Sequence, residues 1–323
     1  MNKKVVTVGG GTGSYTILSG LRQFSDLDLT AIVSMADNGG STGKLRDELG
    51  VLPPGDVRQC LVALSQSPEV LRSLFTYRFD SGELKGHNFG NLFLSALEKV
   101  TGDFESAVGT ASEVLSLSGQ VLPVTIENIN VWLTLSNGQT IYGEDAISQA
   151  TFGHQVRDIS LSPSPKINPQ AVKAIKEADL IIIGPGNIYC SLLPNLIVPG
   201  MADVLAHTQG KVVYNVNLMA PHGHCPSWGV EDFVGTIESF LYPQTLDYVV
   251  YNTTRPAQEL LDKYHEEGSF VNLDQESHFS HLKLIGQDLL AQEIIQISAH
   301  DPLKRTLIRH DPGKIAQVLY DLL

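Results

Sequence analysis

The chain is poor in cysteine: Cys60, Cys190 and Cys225 are the only three in 323 residues, and no pair has C-x-x-C spacing. That excludes a disulfide framework, which needs more cysteines at closer spacing, and fits a reducing compartment. Long apolar runs are missing too. No stretch approaches the ~18 residues of a membrane-spanning helix, and the opening MNKKVVTVGGG reaches glycine before a leader-like apolar region forms. The expected location is cytoplasmic, without membrane insertion. Positive charge is scarce, with 22 Lys and Arg against 35 Asp and Glu, a formal net charge of -13 and a pI near 5.1. Non-specific attraction to nucleic acid or an anionic membrane is thereby excluded, and any polyanionic ligand must be held locally. No fixed-period repeat, low-complexity tail or flexible linker is found.

What the chain does have is apolar material, 42% hydrophobic against 18% charged, enough for a large core in one or two domains. β-Branched runs recur at 4–8, 29–35, 180–184, 211–217, 247–251 and 281–285. Between them lie amphipathic stretches at 15–24, 68–79, 89–99, 168–178, 231–241 and 256–266, with apolar residues three and four apart. Strand, helix, strand alternation predicts an α/β fold with a mainly parallel, Rossmann-like sheet covered on both faces, because a run such as LIIIG has no polar side to expose. The segment 121–149 differs, with short alternating runs around Ser136-Asn137-Gly138-Gln139 that predict a β-hairpin excursion. The expected division is a nucleotide-binding half at about 1–120, the excursion at about 121–150, and a second α/β half at about 165–323, all in one domain.

Two glycine-rich turns follow the first two predicted strands. In GGGTGS, Gly10, Gly11, Thr12, Gly13 and Ser14 sit where strand one reverses into helix one, so backbone N–H groups can approach a phosphate there. Ser14 stands where the dinucleotide fingerprint wants glycine, so the match is loose, and a tight turn without ligand is the alternative. In ADNGGSTGKLR, Asp37 falls about where a Rossmann acid binds a ribose hydroxyl. Asn38, Gly39, Gly40 and Ser41 add amides and a hydroxyl, while Asn38 and Leu45 break the P-loop pattern. The expectation is one anionic pocket on the sheet edge, with the first turn cradling phosphate. Asp37 and Asn38 would fix a sugar, a Mg²⁺ ion or the reacting group; a turn cap is the alternative role of Asp37.

Further along, LPPGDVRQ places Asp56 and Arg58 in the first turn of a helix, where Asp56 is expected as a cap more than as a catalytic acid. GHNFGN carries His87, Asn88 and Asn91, with Gly90 inside an amphipathic helix suggesting close approach of a ligand or another backbone. Asp37, Asp56 and His87 are the catalytic candidates. His222, His224 and Cys225 resemble metal ligands without a fourth at a recognisable spacing, and a loop is the expectation there.

The blocks GGGTGS (9–14), ADNGGSTGKLR (36–46), PPGDVRQCLVALS (53–65) and GHNFGNLFLSAL (86–97), in that order, together resemble the YvcK-like gluconeogenesis factors. These sit within the wider CofD-like family that includes 2-phospho-L-lactate transferase. With GPGNIYCSLLPNLIV (184–198), the resemblance covers most of the chain. It implies a three-layer α/β/α fold and a cytoplasmic role in cell shape and carbon-source physiology. The ligand it implies is a UDP-sugar, notably UDP-N-acetylglucosamine, with Tyr264 and Arg309 at positions matching those that hold it. The fifth block makes a third glycine turn, where Asn187 and further backbone amides can serve as donors and Tyr189 can stack on a ring or simply pack. After KVVYNVN, the family's Thr-Gln and Gly-Glu-Thr run is replaced by LMAPHGHCPSWG. Three functions follow: a UDP-sugar-binding regulator with an unidentified protein partner and a homo-oligomeric state to be tested; a transferase moving a nucleotide-activated phosphoryl group with Mg²⁺; and an NAD-dependent dehydrogenase, which leaves the later blocks unexplained.

Overall fold

The computed structural model describes residues 2–274, 279, 281–292 and 308–323. β1 (Lys3–Gly9) turns into α1 (Gly11–Leu21) and continues through β2 (Leu27–Val33), α2 (Gly40–Leu49), α3 (Gly55–Leu64), α4 (Glu69–Thr76), α5 (Phe89–Thr101) and α6 (Phe104–Val114) to β3 (Gly119–Pro123). An antiparallel excursion holds β4 (Asn130–Leu135), β5 (Thr140–Tyr142), α7 (Glu144–Gln149) and β6 (Val156–Ser162). Next come α8 (Pro169–Glu177), β7 (Leu180–Ile183), a π-helical turn (Ile188–Leu192), α9 (Leu193–Leu196), α10 (Met201–Ala206), β8 (Lys211–Asn215), β9 (Met219–Pro221) and α11 (Val230–Glu238). The rest is β10 (Tyr248–Asn252), α12 (Gln258–Tyr264), β11 (Gly268–Phe270), β12 (Lys283–Gln287) and α13 (Pro312–Tyr320).

Seven strands form one sheet in the order β3-β2-β1-β7-β8-β10-β12, and every neighbouring pair is parallel. The order reverses between β1 and β7, so these two strands form the topological switch point. Their sequences explain their place. Val5, Val6 and Val8 of β1 and all four residues of β7 are buried, and since successive side chains point to opposite faces, helices cover both sides. On one face α1 packs between α3 and α13. Asn168 and Asp311 each cap a helix from the residue before a proline: Asn168 accepts from Gln170 N, and Asp311 from Gly313 N and Lys314 N.

The antiparallel excursion begins later than the alternating pattern predicts. Val121 and Leu122 lie in β3, the edge strand of the main sheet, and both are buried, as an edge strand covered by helices requires. The Asn137-Gly138 turn joins β4 to β5, with Gly138 at φ +89°, and β6 closes a three-stranded sheet in the order β5-β4-β6. β6 escapes detection because its residues are mostly polar and only Ile159 is fully buried. No helix among the described residues is long and apolar enough to cross a membrane.

Gly20 of α1 lies directly under α13, and a Cβ there would stand 2.0 Å from the Pro312 carbonyl oxygen. Helix propensity favours Gly20→Ala by ~0.5–1 kcal/mol, but displacing a backbone carbonyl costs ~1–3 kcal/mol. The clash should win, and urea unfolding should show Gly20→Ala to be less stable than the wild type.

Candidate functional site

The glycine turns after β1 and β7 meet at the carboxyl edge of the sheet, where open α/β folds bind ligands. A cavity of about 350 Å³ opens there, lined among others by Thr12, Gly13, Asn187, Asn217, Tyr264 and Arg309. Two wider clefts, of about 640 and 660 Å³, share no lining residue with this cavity: one is near Lys4, Asp28 and Glu177, the other between β6 and α11. The switch-point cavity brings the first turn of α1, through Thr12 and Gly13, together with the Arg309 side chain. Gly10, the N-cap of α1, has no side chain to close the helix end. The N–H groups of the first turn have no cap from Gly10, and of its residues Thr12 and Gly13 line the cavity. Ser14 itself is buried, with its hydroxyl over Gly9.

Close approach explains two of the glycines. A Cβ at Gly13 would stand 1.7 Å from the Pro185 carbonyl oxygen, so the first and third turns touch through bare backbone. A Cβ at Gly10 would stand 2.2 Å from Asp56 Oδ2. Asp56 is thus turned toward the first glycine turn, where the Gly11 N–H donates to it, and it does not cap its own helix, whose N-cap is Pro54. This corrects the expected capping role: the carboxylate finds its partner on a neighbouring loop. Gly90 is likewise explained by backbone, since a Cβ there would stand 2.6 Å from the Phe75 carbonyl.

The third turn does not offer the amides expected of it. Gly184 N donates to Val8 O at 3.1 Å, Gly186 N to Asn217 Oδ1 at 3.0 Å, and Tyr189 N and Cys190 N to Asn187 Oδ1. Asn187 is committed as the cap of the π-helical turn, and its Nδ2 lies 3.2 Å from His224 Nδ1. Tyr189 packs edge-on against Phe152 and Trp228 at the wider cleft and is absent from the cavity wall. Its ring is a packing element of that cleft.

Tyr264 and Arg309 do meet at the cavity. Burial, and after it the Glu267 charge, push the Tyr264 phenol up, while Arg309 opposes the shift. Arg309, Tyr264 and Glu267 therefore form one electrostatic group on the wall. His310, beside Arg309, is driven down to about 4 by burial and stays neutral at physiological pH. Thr16, Asn217, Glu267 and His310 also line the cavity. No motif in the sequence pointed to these four.

The second glycine turn faces elsewhere. Asp37 Oδ1 accepts from Gly39 N at 2.9 Å, the Thr42 hydroxyl bonds its carboxylate, and Arg46 donates to its carbonyl. Asn38 Oδ1 accepts from Asp145 N at 2.8 Å, tying the turn to α7. Asp37, Asn38, Gly39, Gly40 and Ser41 do not line the switch-point cavity, so Asp37 is not set to bind the ribose of a dinucleotide there. Ser41 Oγ stands 3.3 Å from His87 Nδ1 and accepts from Asn88 N. Asn88 caps α5 and also donates to Thr76 O; Asn91 Nδ2 stands 3.5 Å from Thr42 Oγ1, and Asn91 Oδ1 is buried without a hydrogen-bond partner.

These groups surround an acidic crevice. Burial pushes the Asp37 carboxyl up, against the pull of the Gly39 amide and Thr42 hydroxyl. Asp56 rises to about 7 through burial and then the Asp37 charge, with Arg58 opposing. Glu144 rises to about 8 for the same reasons, with the Cys190 thiol donating to it. Glu144 was not legible in the sequence, because it lies in the excursion, far along the chain from the glycine blocks. Among the described residues no group of three His, Cys, Asp or Glu is placed to hold a metal ion. Mg²⁺ needs only one or two protein carboxylates when ligand phosphates complete its shell, and the mutual repulsion of Asp37 and Asp56 is the kind that a divalent cation relieves. The zinc pattern does not assemble. His224 Nε2 is engaged by Ile147 O and His222 Nε2 by His265 O, and the buried Cys225 thiol is pushed up to about 12.

The chain is similar to known proteins along most of its length. A model of the 2-phospho-L-lactate transferase CofD family matches residues 5–290. A protein of Nostoc sp., named provisionally a gluconeogenesis factor, is 42% identical over 320 residues, 98% of this chain and 68% of its own. The gluconeogenesis factor of Bacillus subtilis is 37% identical over 324 residues, 99% of this chain and 98% of its own. A crystal structure of a UPF0052 family member from Bacillus halodurans superposes with a TM-score of 0.91 at 32% identity, covering 99% of both chains.

The raised carboxyls carry a stability signature. Asp56 titrates near 3.9 when unfolded and at about 7 when folded. The unfolded chain therefore binds fewer protons between these values, and stability falls as pH rises through that window. Asp56→Asn removes the penalty. It should leave stability at pH 4 nearly unchanged and gain ~1–3 kcal/mol at pH 8.5, after allowance for solvent screening, as read by urea unfolding at the two pH values.

Proposed function

The chain belongs to the CofD family, and from that membership and the switch-point geometry we propose that it is a cytoplasmic regulatory protein that binds a UDP-sugar, UDP-N-acetylglucosamine foremost. Its biological role would be that of a gluconeogenesis factor, needed for cell shape on gluconeogenic carbon sources and acting through a protein partner. The observation that carries the reading is the meeting of the first turn of α1, at Thr12 and Gly13, with Arg309 and Tyr264 around one cavity. A diphosphate carries the charge that both the helix end and a guanidinium favour. Tyr264 offers a ring and a hydroxyl to the uracil or sugar. With a net charge of -13, an anion has to be held by local groups, and here these are the first turn of α1 and Arg309.

A second reading is a transferase, favoured by the acidic crevice on the other side of the first glycine turn. Glu144, at about 8, can hold or release a proton near neutral pH. Asp37 and Asp56 would hold Mg²⁺, whose contribution would be to neutralise charge on a transferring phosphoryl group. In that case an acceptor hydroxyl would lose its proton to a crevice carboxylate.

Calorimetric titration with UDP-N-acetylglucosamine, GTP and NAD separates these readings. The sugar nucleotide should bind with the lowest Kd, and no UMP or UDP should appear on prolonged incubation; release of either moves the protein to the transferases. Arg309→Ala removes a charge-assisted contact of ~1.5–3 kcal/mol, so its Kd should rise roughly 10- to 100-fold. Unchanged affinity would remove Arg309 from the site.

A further inference from the structure

We propose that Asn217 is a positioning residue that locks the third glycine turn against α1 and so fixes the wall on which the diphosphate rests. The inference deepens the UDP-sugar reading and depends on it. β7 and β8 pair in register from Leu180↔Lys211 to Ile183↔Tyr214, an offset of 31 residues, and there the backbone ladder ends. Asn217 continues the offset by other means. Its Oδ1 accepts from Gly186 N at 3.0 Å and its Nδ2 donates to Gly186 O at 2.8 Å, again 31 residues apart.

A primary amide has one acceptor and one donor side, as a peptide group does, so the side chain supplies a rung of sheet where the chain has already left β-structure. The adjacent Pro185 carbonyl then sits against Gly13, at the 1.7 Å that forbids a Cβ. Asn217 thus acts on the ligand through Gly186, Pro185 and Gly13, and it satisfies both polar groups of Gly186 at the cavity wall.

The test is calorimetric titration of Asn217→Ala with UDP-N-acetylglucosamine. The Kd should rise at least tenfold while the melting temperature stays close to that of the wild type. Gly13→Ala pushes on the same contact from the other side. Its effect and that of Asn217→Ala should combine to less than their product, because each alone already displaces the Pro185–Gly13 wall. A purely structural Asn217 would lower the melting temperature and give a multiplicative pair. Should Asn217→Ala fail to fold, Asn217→Gln keeps the amide but shifts it by one methylene and should also lose affinity. Binding within twofold of wild type by a folded Asn217 variant, or a fully multiplicative double variant, overturns the proposal. Failure of the wild type itself to bind UDP-N-acetylglucosamine would instead overturn the UDP-sugar reading.

Discussion

The structure depends on one close contact, the backbone of Gly13 lying against the carbonyl of Pro185. β1 and β7 are neighbours in space although about 170 residues separate them, and their connections leave in opposite directions along the sheet. At that divergence two βα corners compete for the same volume, and only the absence of a side chain lets both fit. The first turn of α1 then lies beside the cavity, which Tyr264 and Arg309 line from the second half of the chain.

The first glycine turn also divides two kinds of chemistry. On the cavity side Thr12 and Gly13 line the wall opposite Tyr264 and Arg309. On the other side Gly10 and Gly11 hold the Asp56 carboxylate, which belongs with Asp37 and Glu144 to a crevice where charge is disfavoured by burial and mutual repulsion. A carboxylate at the foot of a helix N-terminus is stabilised by the dipole and destabilised by its like-charged neighbours. Burial and repulsion win, since Asp56 moves upward. α7 joins this crevice to the rest of the site: Asp145 bonds the second turn through Asn38, and the Ile147 carbonyl bonds His224, which neighbours Asn187.

Much of the fold was legible because periodicity and burial agree. LIIIG reads as a strand covered on both faces and is one, and Asn168-Pro169 and Asp311-Pro312 open helices as the cap rule requires. β6 was not, because a polar strand at the rim of a small sheet carries no apolar alternation. Of the residues that line the cavity, Thr12, Gly13, Asn187, Tyr264 and Arg309 were named from the sequence, the last two through family resemblance and not through any local pattern. At the cavity the first glycine turn meets the third, since strand order, which the sequence does not print, puts β7 beside β1; the second turn meets the first at Asp56, which accepts from Gly11 N and lies near Asp37. Glu144 and Asn217 were hidden for the same reason. Each acts across 30 or more residues on a group that is special only in three dimensions, so nothing in its local sequence marks it. Residues 293–307, which precede Ile308 and Arg309, lie outside the described residues.

The most direct measurement of the central claim is a crystal structure of the protein with UDP-N-acetylglucosamine bound. The account predicts phosphate oxygens within about 3.2 Å of the Thr12 and Gly13 amides, on the wall shared with Pro185 and Gly186. Phosphates seated over residues 37–41, or in either of the wider clefts, would contradict it.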